Sequence, residues 1–493
     1  MDKQERFLRG AGILLPIFSL PSKYGIGAMD ESSYRFVDFL KEAGQKYWQI
    51  LPINPTGYAD SPYQSSCAFA GNPYFLDISE FLPEYAIKEQ EREFSEYIDY
   101  SELFQKRIKI LRQNFLGVPS EREEEYAAFC KRNEFWLDDF SLFMAIKEKN
   151  GHLSWLEWED EKLRRHDREA LREFSLNNER EIVFWKYIQF VFFSQWKALK
   201  SYANEKGITI IGDLPIYVSL DSSDVWANKH LFLLDDDGYP LEVAGVPPDS
   251  FSGDGQLWGN PIYNWNAMGN DGYSWWKKRL LHSSVLYDAV RIDHFIGFVN
   301  YYSVPYGASD AKNGRWNRGP GKNLIDSWND IDKIKIIAEN LGIVTDEVNN
   351  LLYEKGFPGM KVLQFAFSSG YDNTHLPHNF EENCVVYGGT HDNQTLYGYF
   401  STCDSGEFDF ACNYFNVENK NPAALSEEII RAGLESKADI AIFSIQDYLG
   451  LDDRARINTP SVLQGNWRIR ISEEYLTREL SEKIREKCER YGR

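Results

Sequence analysis

Apolar residues gather in eight short runs, at 12–18, 47–53, 208–218, 287–295, 335–339, 361–367, 385–391 and 440–449, each ending in polar residues, glycine or proline. Runs that are apolar throughout, rather than alternating, predict strands buried on both faces, as in a parallel sheet. Between them the spacing turns helical. Over 33–43, Phe36, Val37, Phe39 and Leu40 share a face ahead of Gly44, a helix stop. Over 472–491, Leu476, Leu480, Ile484 and Cys488 recur every four residues, the stripe of a helix lying on a barrel wall. Strands alternating with helices predict an α/β chain folded as a (β/α)8 TIM barrel. The alternative is an open doubly wound sheet, but no G-x-G-x-x-G turn follows the first strand.

A bare barrel takes ~250 residues, and this chain has 493. The reading is therefore one catalytic barrel over 1–493 carrying large insertions. Residues 80–207, between the second and third strands, are dense in charge and end in an aromatic-rich helix over 181–206. They predict a helical subdomain, with Phe184, Trp185, Tyr187, Phe190, Phe193 and Trp196 as packing. Residues 219–284, rich in Gly, Pro, Asp and Trp, and 299–332, containing NGRWNRGPG, both follow strands. They are expected as loop subdomains over the C-terminal mouth, where barrel enzymes carry their sites.

Composition then removes several functions. Fifty-four Lys and Arg against 75 Asp and Glu leave a net charge of −21. With no long basic run, such a chain repels phosphate backbones and anionic lipids, so neither nucleic acid nor membrane is an expected partner. Six scattered cysteines without a C-x-x-C pair read as reduced thiols rather than disulfides or a zinc site. The N-terminus, MDKQERFLRG, has no apolar signal segment. The apolar stretch 182–199 is broken by Lys186, Gln189, Gln195 and Lys197, too polar to span a bilayer. A cytoplasmic protein is expected.

Three carboxylates stand at strand ends: Asp293 after AVRI, Glu339 after KIIA and Asp392 after GTH, 46 and 53 residues apart. At ~31 residues per βα unit all three point into one mouth. Converging carboxylates either bind a hard metal or perform glycoside transfer. Arg291 lies two residues before Asp293, so both side chains leave the strand on one face, and the arginine keeps the carboxylate ionised. That suits a nucleophile more than a metal ligand. His294 and His391 adjoin two of the acids and can donate to hydroxyls. The DDDG run at 235–238 lacks the remaining ligands of a calcium loop and reads as a solvated turn. No metal and no cofactor are expected. The loops carry DSPYQSS, GDGQLWGNPIYNW and NGRWNRG, whose aromatic faces suit the C–H faces of pyranose rings and whose amides suit their hydroxyls.

These segments, with AGILLPIFSLPSKYGIG (11–27), GDLPIYVSLDSSDVWAN (212–228), VRIDHFIGFVNYY (290–302), AENLGIVTDEV (338–348) and NTPSVLQGNW (458–467), resemble the 4-α-glucanotransferase (amylomaltase, or disproportionating enzyme) family of the α-amylase superfamily. The SPYQS and GQLWGNP segments are the most specific to it. The resemblance implies a retaining transferase that moves α-1,4-glucan segments from one maltooligosaccharide to the 4-hydroxyl of another glucan or of glucose. It implies Asp293 as nucleophile, Glu339 as general acid/base and Asp392 as transition-state stabiliser. Asp213, Arg291, His294 and His391 would then shape the cleavage subsite, and Ser61, Tyr63, Gln256 and Trp258 the sugar subsites. Departures from the family pattern are Asn340 where Asp is common, Ile296 where Arg is frequent, and Arg468-Ile469 in a tail that often reads NWxW. The rival readings are an α-1,4-glucan hydrolase with the same acids, and a silent carbohydrate-binding protein, against which the complete carboxylate set counts.

Overall fold

The computed structural model describes residues 3–79, 93–248, 252–331 and 333–493; the start of the expected 80–207 insertion, part of 219–284 and Asp332 lie outside them. Among the described residues the strands are, in chain order, β1 (Gly10–Leu14), β2 (Tyr47–Gln49), β3 (Thr209–Leu214), β4 (Glu242–Val246), β5 (Gln256–Pro261), β6 (Ala289–Ile292), β7 (Asn300–Pro305), β8 (Arg315–Arg318), β9 (Lys335–Ala338), β10 (Gly359–Val362), β11 (Cys384–Tyr387) and β12 (Ile440–Ser444).

Eight of these pair in the order β10-β11-β12-β1-β2-β3-β6-β9, all parallel. The two end strands are joined where the Ala338 N–H donates to the Pro358 carbonyl at 2.9 Å, and the sheet closes into a (β/α)8 barrel. Each apolar run contributes one barrel strand. Most runs overshoot the C-terminal end of their strand, because residues there stay buried after leaving the ladder. Leu363–Phe365 and Ile445–Tyr448, for example, turn at once into short helices. At Gly12 the strands come so close that a Cβ would lie 2.6 Å from the Tyr47 carbonyl oxygen, which only glycine avoids.

Helix Glu31–Glu42 starts where the Asp30 carboxylate accepts from the Ser32 N–H and stops before Gly44, at φ 68°. It packs between helices Glu179–Glu205 and Arg478–Arg490. The last helix begins later than the four-residue stripe predicts. Thr477 caps it, Leu476 falls in the turn before it, and its buried face is Ser481, Ile484 and Cys488.

Between β2 and β3 come helices Tyr100–Gln113, Glu123–Lys149, Arg168–Asn177 and Glu179–Glu205. The two 27-residue helices pack through aromatic pairs, among them Phe129–Phe190, Trp136–Phe193 and Phe140–Trp185. The glutamines that interrupt this apolar helix have a structural use. Gln189 exchanges two hydrogen bonds with the Gly71 backbone and Gln195 two with that of Asp77, at 2.7–2.9 Å. They fasten the segment that follows β2 to the helical layer.

The remaining strands form a second sheet, β5-β4-β7-β8, antiparallel throughout. Two separate stretches of sequence build it together. The GQLWGNP segment, read as a glycine-rich loop, is strand β5: β4 supplies the ladder that local sequence does not reveal.

Candidate active site

Asp213, Arg291, Asp293, His294, Glu339, His391 and Asp392 stand at or just past the C-terminal ends of β3, β6, β9 and β11, Ser61 and Tyr63 on the loop after β2, and Gln256 and Trp258 on β5. Asp213 on β3 sits directly across from Arg291 on β6. Arg291 Nη1 donates to both Asp213 oxygens, at 2.6 and 2.7 Å, with both side chains almost wholly buried. Its Nη2 donates to Asp293 at 2.9 Å and lies 3.7 Å from Glu339. Those two carboxyl oxygens are therefore no further apart than ~6.6 Å, a separation suited to attack by one carboxylate and protonation by the other.

Burial grades the acids. Asp392 is 43% exposed, Asp293 26% and Glu339 13%. Burial, then the Asp293 charge, push the Glu339 carboxyl up to about 8. Asp293 is raised by the same burial, but the adjacent Arg291 opposes it and holds it lower, at about 6. Burial alone would weaken the Arg291 guanidinium, yet Asp213, Asp293 and Glu339 outweigh it and keep Arg291 charged. Of the two, Glu339 is the carboxyl that burial and its neighbour's charge push furthest toward the protonated form.

His294 follows Asp293 in a left-handed conformation, φ 48°, an uncommon geometry for a side-chain-bearing residue. The turn aims its backbone N–H at a Glu339 carboxylate oxygen. Its ring is buried, which lowers its basicity to about 4 and keeps it neutral. Trp258 packs edge-on against this ring at 4.9 Å.

Tyr63, on the loop after β2, donates its hydroxyl proton to Asp213 at 2.8 Å. His391 Nε2 lies 2.9 Å from the same hydroxyl, so it must carry the proton and donate to Tyr63. The two rings stack at 5.2 Å, with Trp467 beside both. Ser61 accepts from the Tyr63 N–H at 3.2 Å. Gln256 and Trp258, two apart on β5, share a face, and the indole N–H donates to the Gln256 side chain at 3.1 Å.

Asp293, Asp392, His391, Tyr63, Ser61, Gln256 and Trp258 line one cleft of about 570 Å3, within the range of small-molecule sites. All eleven residues singled out from the sequence thus belong to the cleft or to its hydrogen-bonded floor. Others went unassigned. Gln64 donates to the Trp258 carbonyl at 3.1 Å and to Asn260 at 3.0 Å, tying the DSPYQS loop to β5. Asn458 and Arg456 hold Asp392. Gln64, Asn260 and Asn458 lie inside quoted motifs, but one sequence does not say which polar residue of a motif bonds to which. Of the family departures, Asn340 accepts from the Met360 N–H at 2.8 Å, and Ile296 is buried. Asp235 in the DDDG run accepts from the Asp237 and Tyr239 N–H groups, as a turn residue does. Among the described residues no group of three His, Cys, Asp or Glu side chains is arranged to hold a metal ion.

A family model described as 4-alpha-glucanotransferase matches residues 15–477. A 4-alpha-glucanotransferase of Clostridium butyricum is 46% identical over 97% of this chain and 99% of its own length. One of Aquifex aeolicus is 45% identical over 95% and 96%. The solved amylomaltase of Streptococcus agalactiae, in complex with acarbose, superposes with a TM-score of 0.93 at 39% identity, covering 98% of this chain and 99% of that one.

Proposed function

This chain belongs to the 4-α-glucanotransferase family, and from that premise we propose how its residues carry out the transfer. Its activity is glucan transfer rather than hydrolysis. Glu339, protonated near neutral pH, gives its proton to the departing glycosidic oxygen. Asp293 attacks the anomeric carbon, the C–O bond to the leaving glucan breaks, and a covalent glycosyl ester forms. Asp392 stabilises the positive charge on the ring in both transition states. Glu339, now ionised, takes the proton of an incoming 4-hydroxyl, which displaces Asp293, and two inversions retain the α configuration.

The observation that carries this reading is Arg291 hydrogen-bonded to Asp293 at 2.9 Å but 3.7 Å from the more deeply buried Glu339, which favours the ionised form of Asp293 over that of Glu339. Asp213 and Tyr63 hold the arginine and His391 in register, while Ser61, Gln256, Trp258 and His294 face or support the sugar. The guanidinium supplies the positive charge that a cation would otherwise bring, and activity should persist after exhaustive chelation. Donors and acceptors are maltooligosaccharides and α-1,4-glucans, with glucose as a further acceptor, in a cytoplasmic setting. No helix among the described residues is long and apolar enough to cross a membrane. The described parts of the insertions divide the labour: 93–207 buttresses the segment after β2, while 252–284 and 299–331 contribute to the mouth.

Incubation with maltotriose tests the reading. Glucose together with maltopentaose and longer oligomers is the expected outcome. Glucose and maltose without elongation, or no change, would overturn it.

A further inference from the structure

Asp392 differs from its two partners in how it is held. Asp293 and Glu339 are fixed by groups of the barrel itself: Arg291 on β6 and the His294 backbone. Asp392 lies five residues beyond β11, is the most exposed of the three, and stands 3.4 Å from His391 Nε2, whose proton is directed to Tyr63. Its firm contacts come from elsewhere in the chain. The Asn458 amide donates to Asp392 Oδ1 at 2.6 Å. Arg456 Nη2 donates to the Asp392 carbonyl at 2.6 Å, and its Nε to the Asn458 carbonyl at 2.7 Å. The Asn458 N–H donates to the His391 carbonyl at 3.1 Å. Among the described residues nothing hydrogen-bonds Asp392 Oδ2, which leaves one oxygen anchored and the other available to a sugar.

We infer that Asn458, seated by Arg456, is a positioning residue for Asp392, so that the placement of the stabilising carboxylate depends on the 456–467 segment. That segment is closed on itself by Asn466, whose side chain accepts from the Thr459 N–H at 2.9 Å and donates to the Thr459 and Val462 carbonyls at 3.1 and 2.7 Å. It also forms one wall of the cleft, through Thr459, Val462, Leu463 and Trp467. The same stretch that meets the glucan chain therefore aims the carboxylate, and displacing it would misplace Asp392. The hydrogen bond serves orientation more than charge. A carboxylate with one oxygen tied at 2.6 Å has lost the rotation that would otherwise spread its second oxygen over several directions, and transition-state stabilisation rests on such preorganisation.

The inference rests on the assignment of Asp392 as stabiliser, and Asp392→Asn tests that assignment separately. With maltotriose as substrate, Asn458→Ala should lower kcat about 10- to 100-fold, the range for loss of a hydrogen bond to a charged group, while KM stays within about two-fold. Asn458→Asp keeps the shape but sets a second carboxylate against Asp392 Oδ1, so the two must share a proton. Asp293, Glu339, His391, Tyr63 and Arg456 are the other titratable groups around Asp392. They are unchanged in this variant, so the acid limb of kcat should move up by a pH unit or more in Asn458→Asp and stay in place in Asn458→Ala. Folding of both variants is checked by thermal unfolding. An inactive Asp392→Asn alongside a folded Asn458→Ala with kcat within two-fold of wild type would overturn the inference alone. So would an acid limb that does not move in Asn458→Asp. An active Asp392→Asn would instead remove the assignment on which it stands.

Discussion

The floor and the walls of the cleft are built on opposite principles. The floor is a charge network on strand ends: Arg291 and Asp213 face each other across β3 and β6, almost without solvent contact, and Asp293 and Glu339 hang from the same guanidinium. The walls, which include β5 and 456–467, present apolar residues to solvent, with Leu257 39%, Val462 48% and Leu463 63% exposed. The floor cannot shift without stranding a buried charge, whereas the walls can. On the proposed mechanism the chemistry belongs to the barrel floor, and the choice between water and sugar to walls that a ligand can press against.

Disabling the floor should have the largest effect. Asp293→Asn keeps the size and one hydrogen-bond acceptor but cannot form the glycosyl ester, so maltotriose turnover should fall by ~10⁴ or more with little change in unfolding temperature. A tenth of wild-type activity would remove Asp293 as nucleophile. Arg291→Met should act on the fold as well, because it leaves Asp213 buried and unpaired. A loss of about 3–5 kcal/mol in denaturant unfolding is expected, whereas a change below 1 kcal/mol would show that the floor is not held by charge.

pH separates the two acids. Asp293 must be ionised and Glu339 protonated, so kcat/KM should fall below about 6 and above about 8. In Glu339→Gln, residual activity should lose the alkaline limb. Stability follows the same carboxyl. Its folded value lies above the usual 4.5, so its contribution is fully present below 4.5 and is lost as pH rises through about 8. Unfolding temperature should accordingly drop less between pH 5 and 9 in Glu339→Gln than in wild type; equal drops would place the raised group elsewhere.

The smallest effect belongs to the wall. Trp258→Ala removes a stacking face worth on the order of 1 kcal/mol and leaves the three carboxylates untouched. Cleavage should persist, slower, with a higher ratio of reducing-sugar release to oligomer elongation. An unchanged ratio would erase the distinction between floor and wall and send the search for acceptor control to Tyr63.

The eight barrel strands and the three acids were legible along the chain because each is a local pattern: a two-sided apolar run, then a carboxylate where it stops. Arg291 and Asp293 were legible for the same reason, being two apart at the end of one strand. The β5 strand was not. Its residues carry no alternation, and its pairing partner β4 and the rest of the sheet come from stretches up to 62 residues away in the chain. Nor were the partners of Asp392 legible, since Asn458 lies 66 residues from it in a motif where several polar side chains are equally plausible donors.

The sequence by itself determined the eight barrel strands and which acids stand at their ends, because burial on both faces and strand periodicity act over a few neighbouring residues. The tertiary structure alone decided the second sheet, the different settings of Asp293 and Glu339, and the anchoring of Asp392 by the 456–467 segment. Each of these depends on distances between groups far apart in the chain, and hydrogen bonds and buried charges take their strength from those distances rather than from sequence order.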